Sequence, residues 1–313
     1  MLSYDWIKIL GICVGAILIW ALIFTTTATR ASNGQRFEIY TYLGVSMNDA
    51  RLGSLENLQA KGALSNDILD MSVYRLDQNG YEDMILSAHF SAGQGDLLFA
   101  ANTEPTKDED GAITAYTGLT EFLMSYRANA VWLGEEGYSE GGQVVYETNY
   151  FDECAQYLNG FFGGDYENGA LDKSVAEERF RARIKKDKRY KKESQILAGL
   201  EKEYERLENL RTAFKTIYEW THNDTDTDPI ELTKPIEMTG TDDNGAEVSV
   251  AWQYSFDLSN LGKIAELAGN TESGASKAEG MSLVVLDTGS RNEEDLRYEP
   301  FTFLLYLAEN FDS

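Results

Sequence analysis

Cysteine is almost missing from this chain, with two residues in 313, Cys13 and Cys154. Cys13 lies in an apolar run and Cys154 in a helical pattern, so no structural disulfide is expected and the fold must rest on its core. Histidine is equally scarce, with only His89 and His222. The chain has no nucleophile elbow, metal-binding histidine pair, P-loop or dinucleotide fingerprint. No catalytic residue, metal site or cofactor is therefore expected. Proline is limited to 4 residues, and few breaks interrupt the regular elements. Basic charge is short as well: 27 Lys and Arg face 52 Asp and Glu, for a net charge of −25. That balance excludes nucleic acid as a partner, because phosphates require a basic surface.

What the chain does have begins with a long apolar run. Ile9 to Phe24 is apolar, and no charge appears from Ile9 to Thr29, about 20 residues and enough to cross a bilayer. Trp6 and Trp20 stand towards its ends, where amphipathic rings favour the interface. One reading is an uncleaved anchor over residues 9–29. The other is a signal peptide cut after Ala28 or Ala31. The length of the run favours the anchor. A large acidic domain translocates regardless of its own charge. The expected order is a cytoplasmic segment 1–8, a transmembrane anchor 9–29 and an extracytoplasmic α/β domain 36–313 at the cell membrane.

The most informative stretch runs from Asp67 to Ala101. Ile68, Met71 and Val73 begin an extended segment, and Asp77-Gln78-Asn79-Gly80 is turn chemistry. Tyr81, Met84, Ile85, Ala88 and His89 then recur at helical spacing. Gly93-Gln94-Gly95-Asp96 ends that helix, and Leu97 to Ala101 reads as a buried strand. This is one βαβ unit, the crossover that parallel strands require. Together with a first strand over Phe37–Tyr42, it resembles the first lobe of bacterial extracytoplasmic solute-binding proteins, the receptors that feed ABC importers. Tyr81 opens the helix, Ala92-Gly93-Gln94-Gly95-Asp96 ends it and Leu97-Leu98-Phe99-Ala100 follows, as in that family. The resemblance covers residues 36–102, with a weaker echo at the C-terminus. It implies a periplasmic-binding-protein-like parallel or mixed sheet and a cleft at strand C-termini. A helical anchor departs from the lipid anchor typical of Gram-positive members.

Beyond residue 102 the pattern becomes more helical. Thr120–Tyr126, Phe151–Phe162, Leu258–Ala268 and Pro300–Phe311 read as helices, and Met281–Leu286 as a strand. Gly134 to Asn149 reads as a hairpin or loop, and Gly269 to Gly280 as unstructured. Asn244-Gly245 marks a β-hairpin over Ile236–Phe256, with Val248, Val250, Trp252, Tyr254 and Phe256 on one face. The segment 173–222 carries 14 Lys and Arg against 9 Asp and Glu, so it is basic within an acidic chain. Leu200, Leu207 and Phe214 recur every seventh residue, with Leu197, Tyr204 and Ile217 between them. The spacing predicts an amphipathic helix with a possible coiled-coil seam, either one long helix or a hairpin bending near Gly199. The basic run 179–192 suits a solvated face, docking on anionic lipid or wall polymers, or a protein contact.

Candidate binding residues follow from the implied cleft. Ala101, Asn102 and Glu104 follow Phe99 at the end of a parallel strand, and Trp252 and Tyr254 could offer stacking faces to a sugar or peptide. Sheet-face or core packing is the alternative role for the two aromatics. Asp224, Asp226 and Asp228 alternate as in a calcium loop, but the required glycine and closing Glu are missing. Lys107 to Gly111 is similarly incomplete. Two functions remain open. One is capture of a small molecule for an ABC permease. The other is a non-catalytic interaction or scaffold module whose charged helix binds a protein partner, such as another membrane protein.

Overall fold

The computed structural model describes residues 2–27, 31–76, 80–103, 105–107, 113–134, 138–140, 143–145, 148–223, 227–241, 245–271, 277–287 and 296–312. The chain divides into two compact units, residues 1–32 and 33–313. The first holds one helix, α1 (Leu2–Thr27), of 26 residues, about 39 Å at 1.5 Å per residue. Its described side chains, Ile9, Leu10, Ile17, Leu18 and Ile23 among them, are exposed. They end at Ile23, and among the described residues no helix is long and apolar enough to cross a membrane.

The second unit begins with β1 (Arg36–Thr41), β2 (Val45–Met47), α2 (Leu55–Ala60), β3 (Asp70–Arg75), α3 (Glu82–Ser91) and β4 (Leu97–Ala101). A small hairpin, β5 (Thr106–Lys107) with β6 (Ile113–Ala115), precedes α4 (Gly118–Tyr126). Another, β7 (Tyr138–Glu140) with β8 (Gln143–Val145), precedes α5 (Tyr150–Asn159). Then come α6 (Lys173–Arg183), α7 (Glu193–His222), β9 (Glu231–Leu232), β10 (Ile236–Thr241), β11 (Glu247–Trp252) and β12 (Ser255–Asp257). The chain closes with α8 (Ile264–Leu267), β13 (Ala268–Asn270), β14 (Met281–Val285) and α9 (Glu299–Phe311).

Six strands form one mixed sheet in the order β3-β1-β4-β14-β12-β9. β1 pairs parallel with β3, Ile39 opposite Val73, and parallel with β4, Tyr40 opposite Leu98. β14 runs antiparallel to both β4 and β12, and β9 is antiparallel to β12. The expected α/β class and βαβ unit are present, with α3 carrying the chain from β3 past β1 to β4. Gly93 and Gly95 end that crossover with φ of 67° and 118°, the left-handed region that suits glycine.

Side-chain alternation divides the sheet between two cores. Phe37, Ile39, Leu97, Phe99, Leu283 and Val285 face one, with Phe151 of α5, Leu207 and Phe214 of α7, and Phe301 and Leu304 of α9. Tyr40, Leu98, Ala100 and Val284 face the other, with Leu86 and Phe90 of α3, Phe122 of α4 and Trp252 of β11. The result is a three-layered domain, helices on one side of the sheet and helices plus a hairpin on the other. Every core residue among those described lies within 33–313, so this unit carries what it needs to fold by itself.

Four expectations are corrected. The 236–256 hairpin ends at Trp252, and Phe256 leaves it to join the main sheet in β12. The helix expected over 258–268 shrinks to Ile264–Leu267, because Leu258 and Leu261 sink into the first core as turns. Within 269–280, Ala268–Asn270 pairs with β2, while 272–276 lie outside the described residues. The charged segment does form a helical hairpin, but its bend lies at 184–192 rather than near Gly199. Asp187 turns the chain by accepting the Arg189 backbone N–H at 2.8 Å and its guanidinium at 2.6 Å. Gly199 sits inside α7 instead. A Cβ there would meet Tyr190 at 2.4 Å and Phe180 at 2.7 Å, so glycine lets the returning chain pack on the helix.

Candidate functional site

The helical hairpin is fastened to the domain by charges. Asp172 caps α6 by accepting from the Ser174 and Val175 backbone N–H groups at 3.0 and 3.2 Å, as capping requires. Phe180, Ile184 and Leu200 make a small core between α6 and α7. Beneath it, Arg183 bridges Asp67 at 2.8 Å and Glu203 at 2.7 Å. Arg189 donates to the other Asp67 oxygen at 2.9 Å, and Tyr190 Oη donates to it at 3.2 Å. Arg206 pairs with Glu203 at 2.8 Å and Glu299 at 3.3 Å, and donates to Tyr157 Oη at 2.8 Å. The Ser65 backbone N–H donates to Glu299 at 2.6 Å. Glu203, Arg206 and Glu299 are almost fully buried.

Burial alone would raise the Glu203 carboxyl, but Arg206 and Arg183 outweigh it and hold the group down to about 2. Glu299 goes the other way: burial raises it, and Arg206 and the Ser65 N–H offset only part of that. Arg206 is itself held well above its ordinary value by Glu203, despite burial. A buried network of this kind adds little net stability over apolar packing, yet leaving one member unpaired is costly. Its chemistry is that of a clamp fixing the bend of α6–α7 against the 65–67 loop and the start of α9.

Beside this clamp lies a polar cavity of about 30 Å³, lined by Ser65, Asn66, Lys202, Arg206, Asn209 and Glu299 among others. A sugar or peptide pocket holds roughly 300–1,000 Å³, so this recess has room only for water.

A second polar cluster joins α3 to the sheet. Asp96 accepts the Glu38 backbone N–H at 2.6 Å. Tyr40 Oη lies 3.3 Å from Glu38 Oε2 and 2.8 Å from His89 Nδ1, and Gln94 donates to Glu38 Oε1 at 3.3 Å. Burial first, then the Asp96 charge, raises Glu38, and burial lowers His89 towards the neutral imidazole. Glu38 is 3% exposed, which leaves no approach for a substrate. The cluster fits a packed helix histidine.

These shifts set the pH response. Glu203, depressed from 4.5, contributes stability above that value and loses it as the pH falls towards about 2. Glu38 and Glu299 are raised, so they bind protons on folding and cost stability at neutral pH. That cost is recovered as the pH falls through their raised values. Urea midpoints measured on residues 33–313 are expected to rise from neutral into mild acid and then fall below 4.5. A steady fall from neutrality would contradict this assignment.

Of the residues singled out from sequence, the described ones do not converge on one opening. Ala101 is fully buried in the first core. Asn102 is half-buried at the end of β4, where its N–H donates to the Gly280 carbonyl at 2.7 Å. Glu104 lies outside the described residues. Trp252 and Tyr254 belong to the second core, on the opposite face of the sheet from Ala101. The Arg127 guanidinium stacks 4.9 Å over Trp252, and Tyr254 meets Trp132 edge-on at 5.0 Å. The two aromatics therefore pack as sheet-face residues. Among the described residues no His, Cys, Asp and Glu group is placed to hold a metal ion. Residues 224–226 and 108–111 lie outside the described ones.

Sequence reasoning missed the clamp. One part of it was readable, because Glu203 and Arg206 interrupt the apolar stripe of Leu200, Leu207 and Leu210 and so point inward with it. Leu207 and Leu210 cover the domain's own core and Leu200 the small core between α6 and α7, while Leu197 is 50% exposed. No family model, curated protein or solved structure matches this chain.

Proposed function

We propose that this chain is a non-catalytic interaction module held at a cell membrane by its N-terminal helix, with residues 36–313 outside the cytoplasm. The carrying observation is that residues 33–313 form one compact unit, with the charged hairpin clamped into it by Asp67 and Glu299. A receptor that closes on a small molecule needs two lobes and a hinge. A single layered body with its helical insert locked down suits a platform for docking better. The tether reading rests on the uncharged run Ile9 to Thr29 and on α1, which continues to Thr27 beyond its last described side chain.

Ligand capture for an ABC importer is the second reading. The parallel trio β3-β1-β4 with its α3 crossover favours it, since this is the arrangement the solute-binding resemblance implies.

Fractionation and a ligand screen separate the readings. The full chain should remain in membranes through alkaline carbonate washing, whereas residues 33–313 should be recovered in the wash. Protease added to intact cells should digest the domain. A thermal-shift screen of sugars, peptides and divalent cations should be flat, because stabilisation follows the ratio of ligand concentration to Kd. A dose-dependent shift with one ligand class would favour the receptor. Release of the full chain by carbonate would remove the tether.

A further inference from the structure

Arginine and lysine are sorted at the bend between α6 and α7. Arg183 and Arg189 turn inward and are spent on Asp67, Glu203 and Asp187, while Arg181 pairs at the surface with Glu177 and Glu193. The lysines turn outward. Lys185, Lys186, Lys191 and Lys192 are all exposed, and none of the four enters an ion pair among the described residues. Lys188 is exposed too, but has a contact of its own. The acids of the bend, Asp187 and Glu193, are already engaged by arginine. The bend therefore presents uncompensated positive charge, although the whole chain carries −25.

We propose that the bend of the α6–α7 hairpin docks on the anionic headgroups of a lipid bilayer through Lys185, Lys186, Lys191 and Lys192. Three observations carry the proposal. The residue type fits, because lysine is a compact, hydrated point charge suited to a diffuse phosphate surface, whereas arginine serves fixed bidentate pairs. The bend is held rigidly by the Asp67–Arg183–Glu203 clamp, so four charges are displayed together with little ordering left to lose on contact. Charge complementarity is local: at a physiological Debye length of about 8 Å, a headgroup at the bend is screened from more distant acids. The choice of a bilayer over other polyanions rests on the tethered reading, since a tether raises the effective concentration of the bend at the surface.

Vesicle sedimentation tests this on residues 33–313, without α1, so that its result is independent of the tether. Wild-type protein should sediment with vesicles containing phosphatidylglycerol, more weakly as salt rises, and not with pure phosphatidylcholine. Each lysine near an anionic surface contributes about five-fold in affinity. The quadruple variant K185Q/K186Q/K191Q/K192Q should therefore bind at least about a hundred-fold more weakly. The replaced side chains are exposed, so the variant should keep the wild-type circular dichroism and Tm. Equal binding by a folded variant, binding to phosphatidylcholine alone, or no binding at low salt would overturn the proposal. So would a salt-sensitive dimer, abolished in the variant, without vesicle binding, because the bend would then dock on a second copy of the chain. Carbonate release of the full chain alongside intact vesicle binding would remove the tether and leave this surface standing.

Discussion

Arg206→Met is expected to lower the unfolding free energy of residues 33–313 by about 3–5 kcal/mol, the usual cost of breaking a buried ion pair from one side. The guanidinium is 6% exposed and holds Glu203 and Glu299 together. Methionine fills much of its volume, yet it takes the guanidinium from Glu299 and leaves that carboxylate facing the Ser65 N–H. Glu203 keeps Arg183 at 2.7 Å, so most of the loss should sit at Glu299. Adding Glu299→Gln should restore part of the stability, because a neutral amide is far cheaper to bury than an unpaired carboxylate. The two changes should therefore be strongly non-additive in a double-mutant cycle. Urea midpoints give the measurement. A loss under about 1 kcal/mol, within the range of exposed pairs, would mean that Arg206 clamps nothing.

Phe214→Ala should cost a similar amount for a different reason. Phe214 is fully buried on α7, edge-on to Phe301 of α9 at 5.2 Å and to Tyr166 at 5.3 Å, and 6.3 Å from Phe151 of α5. Truncation would open a cavity where three elements meet, and such changes cost about 3–5 kcal/mol. Leucine should recover much of that loss, since volume matters more than the ring. The contrast with Arg206 is diagnostic. The Phe214→Ala loss should hardly change with pH, while the Arg206→Met loss should shrink as the pH falls and the stranded carboxylates take up protons. Equal pH dependence for the two variants would overturn both explanations.

The sheet was legible where local pattern and tertiary context agreed. Leu97–Ala101 matched β4 because an apolar run between a glycine break and a charged loop is there too short for another helix. Glu82–Ser91 followed from helical spacing bounded by turn chemistry. The 255–257 strand was misread, because alternation continues unbroken from Val248 to Phe256 while the chain changes sheets between Trp252 and Ser255. The hairpin bend was misplaced because no proline or glycine marks it. What turns the chain there is an aspartate binding an arginine two residues on. The clamp was illegible for a deeper reason: Arg183 meets Asp67 across 116 residues, and no local spacing encodes that meeting.

The position of β14 has a consequence for how the molecule comes to exist. This strand, Met281–Val285, stands between the parallel trio and the antiparallel pair, and is synthesised about 180 residues after β4 (Leu97–Ala101). Until it arrives, β4 and β12 are both open edges, and Leu97 to Ala101 offers an unpaired, wholly apolar template to any neighbouring strand. At roughly 5–20 residues per second of synthesis, that exposure lasts many seconds in each newborn chain. Nascent chains stalled before residue 281 should bind holdase chaperones and resist native folding, and deletion of Met281–Val285 should give aggregation rather than a folded remainder.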